Sequence, residues 1–494
     1  MTHKVLASCA VIAVLCAARA ASAQTPAAGQ GDSPGWLKDR RYAEGIGIRS
    51  GDLEWHVGVA GEAGYDSNWL LRTDRKSCPG GNANQCDNGP PIIPSAEFRV
   101  TPSFSVGTLG PQRREGGGGG DIAFRAGASA TWREFIGLSS DSTGTSDIAE
   151  QNSGLPSIAA DARLDILPGH PVGGSLFVNY ARIVQPNATL TNPDFAFNRD
   201  DLGGGGELSI QPGSGTLDWH FGYQVRTELF EARDQNAGFD NLTHQIYTRG
   251  RWKFRPRTAL IYDGSVGFVT YLYPDQASVQ GLVGSTPIRA RIGLNGLVTD
   301  RFAALAVVGW GASFYDTSAT PQQPQYDGPI GQAELKWFLA ASPGVAEALN
   351  QVSLSLSSIT LGYNRDFQNS YLANFYGSDR GYLRFAYFFA GRALVSLEGG
   401  FGAVEYPKMF WILPATPTAM ATVIDRHAAF TDWRADATLF GEYRFSDTIG
   451  VNATLRYTSN ISNQLVPDVP PPGVGVFGMG WNRFEAFLGV RWFM

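Results

Sequence analysis

The chain of 494 residues carries a formal net charge of −6, only 17% charged residues, 12% aromatics and 60 glycines. It offers no basic cluster, so nucleic acid is excluded as a partner, and helix formers are scarce outside a short stretch from Val345 to Asn350. Length alone suggests about three domains at roughly 150 residues each, but no linker, charge block or compositional shift divides the chain, so one large all-β domain is the simpler reading.

At the N-terminus, His3 and Lys4 lead into an apolar run from Val5 to Ala18, and Ala21-Ser22-Ala23 precedes Gln24. This is the pattern of a secretory signal peptide spanning residues 1–23. Leu6-Ala7-Ser8-Cys9 has the letters of a lipoprotein box but leaves no apolar region before it, so lipidation is rejected. Beyond residue 23 no apolar run reaches the ~18 residues of a helical span. A membrane protein of this sequence must therefore be a barrel. Residues 24–51 are expected to form a periplasmic N-terminal segment, loose or entering the barrel from below. Cys78 and Cys86 then lie in a Gly/Asn/Pro-rich segment in an oxidising compartment, and a disulfide is expected between them. So short a loop gains roughly 2.5 kcal/mol at most in the chain-entropy account, and the spacing excludes a CxxC metal or redox site.

Candidate strands follow at about 53–65, 94–106, 121–135, 157–168, 172–184, 201–211, 215–230, 241–255, 258–272, 286–298, 301–314, 328–339, 350–366, 381–390, 392–404, 430–444, 448–459 and 481–494, an even total of eighteen. Connections after odd strands are long, as at 66–93, 136–156 and 405–429. Those after even strands are mostly tight turns, such as Arg255-Pro256-Arg257, Thr299-Asp300 and Ser446-Asp447; Gly116 to Gly120 and Ala340 to Leu349 are longer. A soluble sandwich has no reason to sort its loops this way. Short periplasmic turns and long outer loops are expected of a single transmembrane antiparallel up-and-down β-barrel over residues 52–494, in the bacterial outer membrane with both termini periplasmic.

The strand faces agree. Leu217, Trp219, Phe221, Tyr223, Val225 and Leu229 alternate with Asp218, His220, Gln224, Arg226 and Glu228, and the same split recurs around Trp132, Trp433 and Leu455. An Arg facing lipid at the midplane costs roughly 2–4 kcal/mol, so a few of them would erase a typical net stability of ~5–15 kcal/mol. The charges must point inward. Lumen-lining candidates are Arg125, Asp218, Arg226, Glu228, Arg249, Arg251, Lys253, Arg289, Arg291, Asp432, Arg434, Asp436 and Arg456. They serve either as a charged track for a polar solute or as cross-strand ion pairs stiffening a water-filled wall. Arg249, Arg251 and Lys253, with Arg226, form the densest basic patch. The phase shift between Leu356 and Ile359 suggests a bulge. No histidine lies in a GxSxG or HExxH context, so no enzyme and no cofactor are expected; His244 and Tyr247 read as girdle residues.

Loop 405–429 contains Met409-Phe410-Trp411-Ile412-Leu413, an apolar cluster expected to fold inward as a constriction, or to rest on the outer leaflet or on neighbouring loops. The chain ends with Phe484, Ala486, Leu488, Val490, Trp492 and Met494 alternating with Arg483, Glu485, Gly489 and Arg491. That ending resembles the C-terminal strand of outer-membrane barrels, which the barrel-assembly machinery reads and which usually ends in Phe. Here Phe484, Trp492 and Met494 would carry the signal.

Gly64-Tyr65-Asp66-Ser67-Asn68, closing the first strand, resembles the opening of the β-barrel porin 2 proteins. Leu361-Gly362-Tyr363-Asn364-Arg365-Asp366-Phe367 and Asp379-Arg380-Gly381-Tyr382 resemble the same group. The resemblance implies an outer-membrane channel encoded with exopolysaccharide or capsule export systems, hence a passive conduit for an exported polysaccharide. A general or sugar-selective diffusion porin is the alternative, and a structural or adhesive barrel the second. The partners implied are outer-membrane lipids, the assembly machinery, periplasmic polysaccharide-export proteins, and a polysaccharide or small polar solute. No solute-binding residue carries over.

Overall fold

A run such as Leu217-Asp218-Trp219-His220-Phe221 puts apolar side chains on one face of an extended chain and polar ones on the other, and its aromatic and branched residues favour a pleated surface. Such a ribbon must pair on both edges and bury neither face in a conventional core. Eighteen of them do so by forming one closed sheet. The computed structural model describes residues 47–73, 92–109, 120–138, 153–184, 197–212, 215–315, 324–339, 357–389, 392–413, 422–467 and 476–494. The expected signal peptide, residues 24–46, Cys78 and Cys86, Gly116–Gly119 and the Val345–Asn350 stretch lie outside them.

The barrel strands are β1 (Leu53–Asp66), β2 (Ser95–Thr108), β3 (Ile122–Gly137), β4 (Ser157–Ile166), β5 (Val172–Ile183) and β6 (Arg199–Ile210). They continue as β7 (Leu217–Phe230), β8 (Asn241–Arg255), β9 (Thr258–Tyr271), β10 (Ser285–Thr299), β11 (Phe302–Tyr315) and β12 (Tyr326–Phe338). The last six are β13 (Ser358–Asn369), β14 (Phe375–Phe389), β15 (Ala393–Tyr406), β16 (Phe430–Arg444), β17 (Ile449–Ile461) and β18 (Trp481–Phe493). Each pairs antiparallel with its sequence neighbours, and β18 closes on β1 from Gly58↔Phe493 to Asp66↔Glu485. No edge is left open, which is the condition for a sheet in lipid. At the seam Ser67 N–H donates to Phe484 O and Met494 N–H to Val57 O, both at 2.9 Å. Where β18 ends, a short strand, Ile48–Ser50, takes over and pairs with Leu53–Trp55.

Cross-strand partners share a face, so the register carries one face assignment around the whole wall. Val59, Val100, Trp132, Leu176, Phe221, Leu294, Val308, Leu361, Leu397 and Val490 all fall on the outward face and are exposed. Among the described residues no helix is long and apolar enough to cross a membrane; the strands present the apolar band instead. One barrel end carries the two-residue turns 256–257 and 300–301 together with Met494. The other carries the long connections, where short helices and two small hairpins, Met409–Leu413 with Thr422–His427 and Leu465–Pro467 with Val476–Gly478, pack together.

Two strands differ from the sequence reading. β13 is described from Ser358, the expected residues 350–356 lying outside the described ones, and it runs on to Asn369, paired with a β14 that begins at Phe375 rather than 381. Two of the added pairs, Gln368↔Tyr376 and Asp366↔Ser378, are polar and break the apolar alternation, so composition disguises the segment as loop. From Ser358 onward no register shift interrupts β13 on either side; the bulge expected between Leu356 and Ile359 reaches into residues outside the described ones.

Candidate functional site

The inward face is polar because alternate positions on nearly every strand are charged, amide or hydroxyl residues. The register places all thirteen lumen-lining candidates on it: Arg125, Asp218, Arg226, Glu228, Arg249, Arg251, Lys253, Arg289, Arg291, Asp432, Arg434, Asp436 and Arg456. They are not brought together in one site. They fall into networks of different burial on two sides of the barrel.

From β16 through β18 to β3 most of the charges are buried, with Asp436, Arg444 and Arg456 partly exposed. Arg99 donates to Glu97 at 2.6 Å, and Arg133 lies 3.2 Å from the same carboxylate. Arg483 donates to Asp66 across the seam at 2.5 Å, Asn452 to Glu62 at 2.8 Å, and Glu442 holds both Arg444 and Arg491. Arg434 reaches Asn460 and the Tyr406 hydroxyl at 3.1 and 3.0 Å, while Asn460 also donates to Asp432. Buried charges must be matched in this way, since an unpaired one would be prohibitively costly.

On the opposite side the pairs reach open space. Glu207 on β6 is a hub. It accepts from Arg249 at 2.8 Å and from the Tyr247 hydroxyl at 3.0 Å, with Arg163 at 3.4 Å and His220 Nδ1 at 3.0 Å. His220 Nε2 meets Asp218 at 2.7 Å, and Arg251 also faces that carboxylate. Arg226 pairs with Asp201 and Glu228, Arg291 with Asp263, and Arg289 with Asp366. Arg380 is shared between Asp436 and Glu398. Tyr247 and Tyr382 lie flat on the wall over the glycines opposite them, Gly222 and Gly362, where a Cβ would strike the ring. Tyr382 donates to Glu334 at 2.8 Å. Tyr247 is therefore inward rather than a girdle residue; His244 does face outward, against Tyr223.

At the long-loop end apolar clusters line the inner rim. Phe197, Phe230 and Phe239 surround Tyr371, whose ring meets theirs edge-on at 5.3, 5.3 and 5.8 Å. The Tyr371 hydroxyl donates to Glu228. Tyr371 comes from the β13–β14 connection, whereas its partners come from β6 to β8, with β9 to β12 standing between. The connection must therefore cut across the mouth. Burial, reinforced by the Glu228 carboxylate, holds the Tyr371 hydroxyl well above the ordinary tyrosine value, so it remains a donor at any physiological pH.

Met409 and Trp411, two of the constriction-loop candidates, are buried in this roof, and Phe410 is half-buried. Their hairpin is pinned by Arg426, which donates to Pro467 O at 2.9 Å beneath the Trp411 ring. It meets the short helix Pro274–Val279 so closely that the Phe410 carbonyl occupies the space a side chain at Gly281 would need; Gly281 also has a φ of +77°. Val283 N–H donates to the Asn374 side chain at 3.1 Å. A further cluster buries Trp69 under Arg133 and Arg483. Phe484 and Trp492 sit on the outward face of β18 and Met494 follows its last residue; all three are exposed.

No family model and no curated protein matches the chain. Solved structures similar to it include the FrpB iron transporter of Neisseria meningitidis in its apoprotein form, at TM-score 0.44 and 10% identity over 91% of this chain and 82% of that one. OpdQ of Pseudomonas aeruginosa matches at TM-score 0.38 and 10% identity, over 90% and 98% of the two chains. OccAB4 of Acinetobacter baumannii matches at 0.40 and 10%, over 90% and 99%.

Proposed function

We propose that this barrel is a passive outer-membrane conduit for a hydroxyl-rich polymer, an exported polysaccharide, moving through the lumen without a single deep binding site. The observation that carries the reading is the inner wall itself. Its arginines, carboxylates and tyrosines are tied to one another in distributed networks, so each is held in place yet offers a weak, shared hydrogen bond to a passing hydroxyl. A wall of eighteen strands is wide enough for an aqueous channel. The sequence resemblance to barrels found beside capsule and exopolysaccharide export supports the same assignment, with periplasmic export proteins as partners. No catalytic role is proposed.

The roof at the outer mouth favours a second reading, a diffusion porin whose loops limit the size of small solutes. Deleting the gene separates the two. Loss of surface polysaccharide with small-solute uptake intact supports the conduit. Retained polysaccharide with lowered permeability to small sugars supports the porin and overturns the conduit. A purified barrel that carries no current, even without its 405–429 loop, leaves only a structural or adhesive role.

A further inference from the structure

The interior charges are roughly matched in number, but not in what the lumen sees. In pair after pair the carboxylate lies against the wall and the guanidinium projects over it. The Arg249 side chain is 39% exposed and its partner Glu207 1%. Arg251 is 52% exposed against 16% for Asp218, and Arg384 53% against 25% for Glu398. Arg456 over Glu485 and Arg444 over Glu442 repeat the order. Some pairs run the other way: Asp165, Asp263 and Asp436 are clearly more exposed than the arginine they face, and Glu398 against Arg380, Asp201 against Arg199 and Asp366 against Arg291 slightly so.

The chemistry behind the bias is simple. Asp and Glu are short and stay near the strand, while the long guanidinium stem reaches over them and remains charged at any relevant pH. Each such pair is then a dipole with its positive end toward the axis. Low-dielectric walls focus such fields into the water-filled space between them. Arg249, Arg251 and Lys253 occupy successive inward positions on β8, about 7 Å apart, descending to the short-turn end, where Lys253 is exposed.

From this ordering we infer that the lumen prefers anions, and that the polymer or solute it passes bears carboxylate or phosphate groups. The inference rests on the channel reading above and names its substrate class. A negatively charged chain meets the β8 ladder at the short-turn end and exchanges one guanidinium for the next. Because each guanidinium keeps its own wall carboxylate, none holds the chain tightly.

Reversal potentials of the purified full-length barrel in planar bilayers, under a potassium chloride gradient, test this. Chloride preference is expected in the parent. The preference should weaken in Arg251→Gln and in Arg384→Gln, two exposed positions whose loss leaves the wall's hydrogen-bonded strands intact. Oligogalacturonate should block the current at concentrations where neutral dextran of equal length does not. Block by the oligomer but not by galacturonate monomer assigns an acidic polymer; equal block by both assigns small anions. A zero or cation-directed reversal potential, or equal block by dextran, overturns the anion preference while leaving the channel standing. Complete absence of current overturns the channel and this inference with it.

Discussion

Replacing Tyr371 with alanine should loosen the roof without disturbing the barrel. The side chain makes three edge-on ring contacts and donates to Glu228. Truncating a buried aromatic costs about 3–5 kcal/mol. Tyr371 is only partly covered, so the lower end applies, and ~3 kcal/mol corresponds to more than a hundredfold rise in the open population. Tyr371→Phe keeps the rings and loses only the hydrogen bond to a charged acceptor, about 1.5–3 kcal/mol; Glu228 still has Arg226 at 2.6 Å and Asn241 at 3.0 Å, so the lower value is expected. The readout is the rate at which a thiol reagent labels Ala373→Cys, a buried position two residues along, with the native cysteines changed to serine. Labelling should accelerate strongly in the alanine background and moderately in the phenylalanine one, while heat-modifiability of the barrel stays put. Equal labelling rates in all three backgrounds would refute the roof as described.

Asp66→Ala removes the carboxylate that holds Arg483 across the β1–β18 seam. Breaking a buried pair from one side costs about 3–5 kcal/mol, so the temperature at which the folded gel band converts to the unfolded one should fall; an unchanged midpoint contradicts the seam's role. Asp240, outside the strands, accepts from Phe230 N–H at 2.7 Å, and burial raises its carboxyl above the ordinary 3.8. A raised folded-state value means that its contribution is full below pH ~4 and lost as pH rises through the raised value. Rate-corrected hydrogen exchange of segment 230–240 should show protection falling from pH 4 toward 7, with the fall abolished in Asp240→Asn. Peptide mapping without reductant should recover Cys78 and Cys86 joined, and free thiols there would rule the bond out.

The wall was legible because its physics is local. A period of two along Leu217–Leu229 specifies both the strand and its faces, and the cost of a charge in lipid fixes which face is inward. Glu207 escaped notice because Gly203 to Gly206 erase the apolar half of the alternation on β6, so nothing marks it as the hub for Arg249, Tyr247 and His220. The last three residues of β13, Phe367–Asn369, and the first six of β14, Phe375–Arg380, read as loop because strands that rise above the lipid need no apolar face. The roof is a different case. Tyr371 meets Phe197, Phe230 and Phe239 only because the closed barrel brings distant connections to one mouth, and no spacing along the chain encodes that. Met409 and Trp411 stand out as an apolar cluster, but Met409 is buried against Ala373, Tyr376, Val466 and Met479 as well as its own neighbours, and no spacing along the chain links it to those.

A spin-label scan along β7 tests the central claim, a lipid-facing outside wrapped around a water-filled, charge-lined inside. Single cysteines at each position from Leu217 to Leu229, in a background lacking Cys78 and Cys86, are labelled and reconstituted in bilayers. Relaxation by oxygen reports lipid, and relaxation by a soluble nickel chelate reports water. Odd positions should respond to oxygen and even ones to nickel, alternating with a period of two. Even positions closed to nickel, or a scan without alternation, would contradict the account.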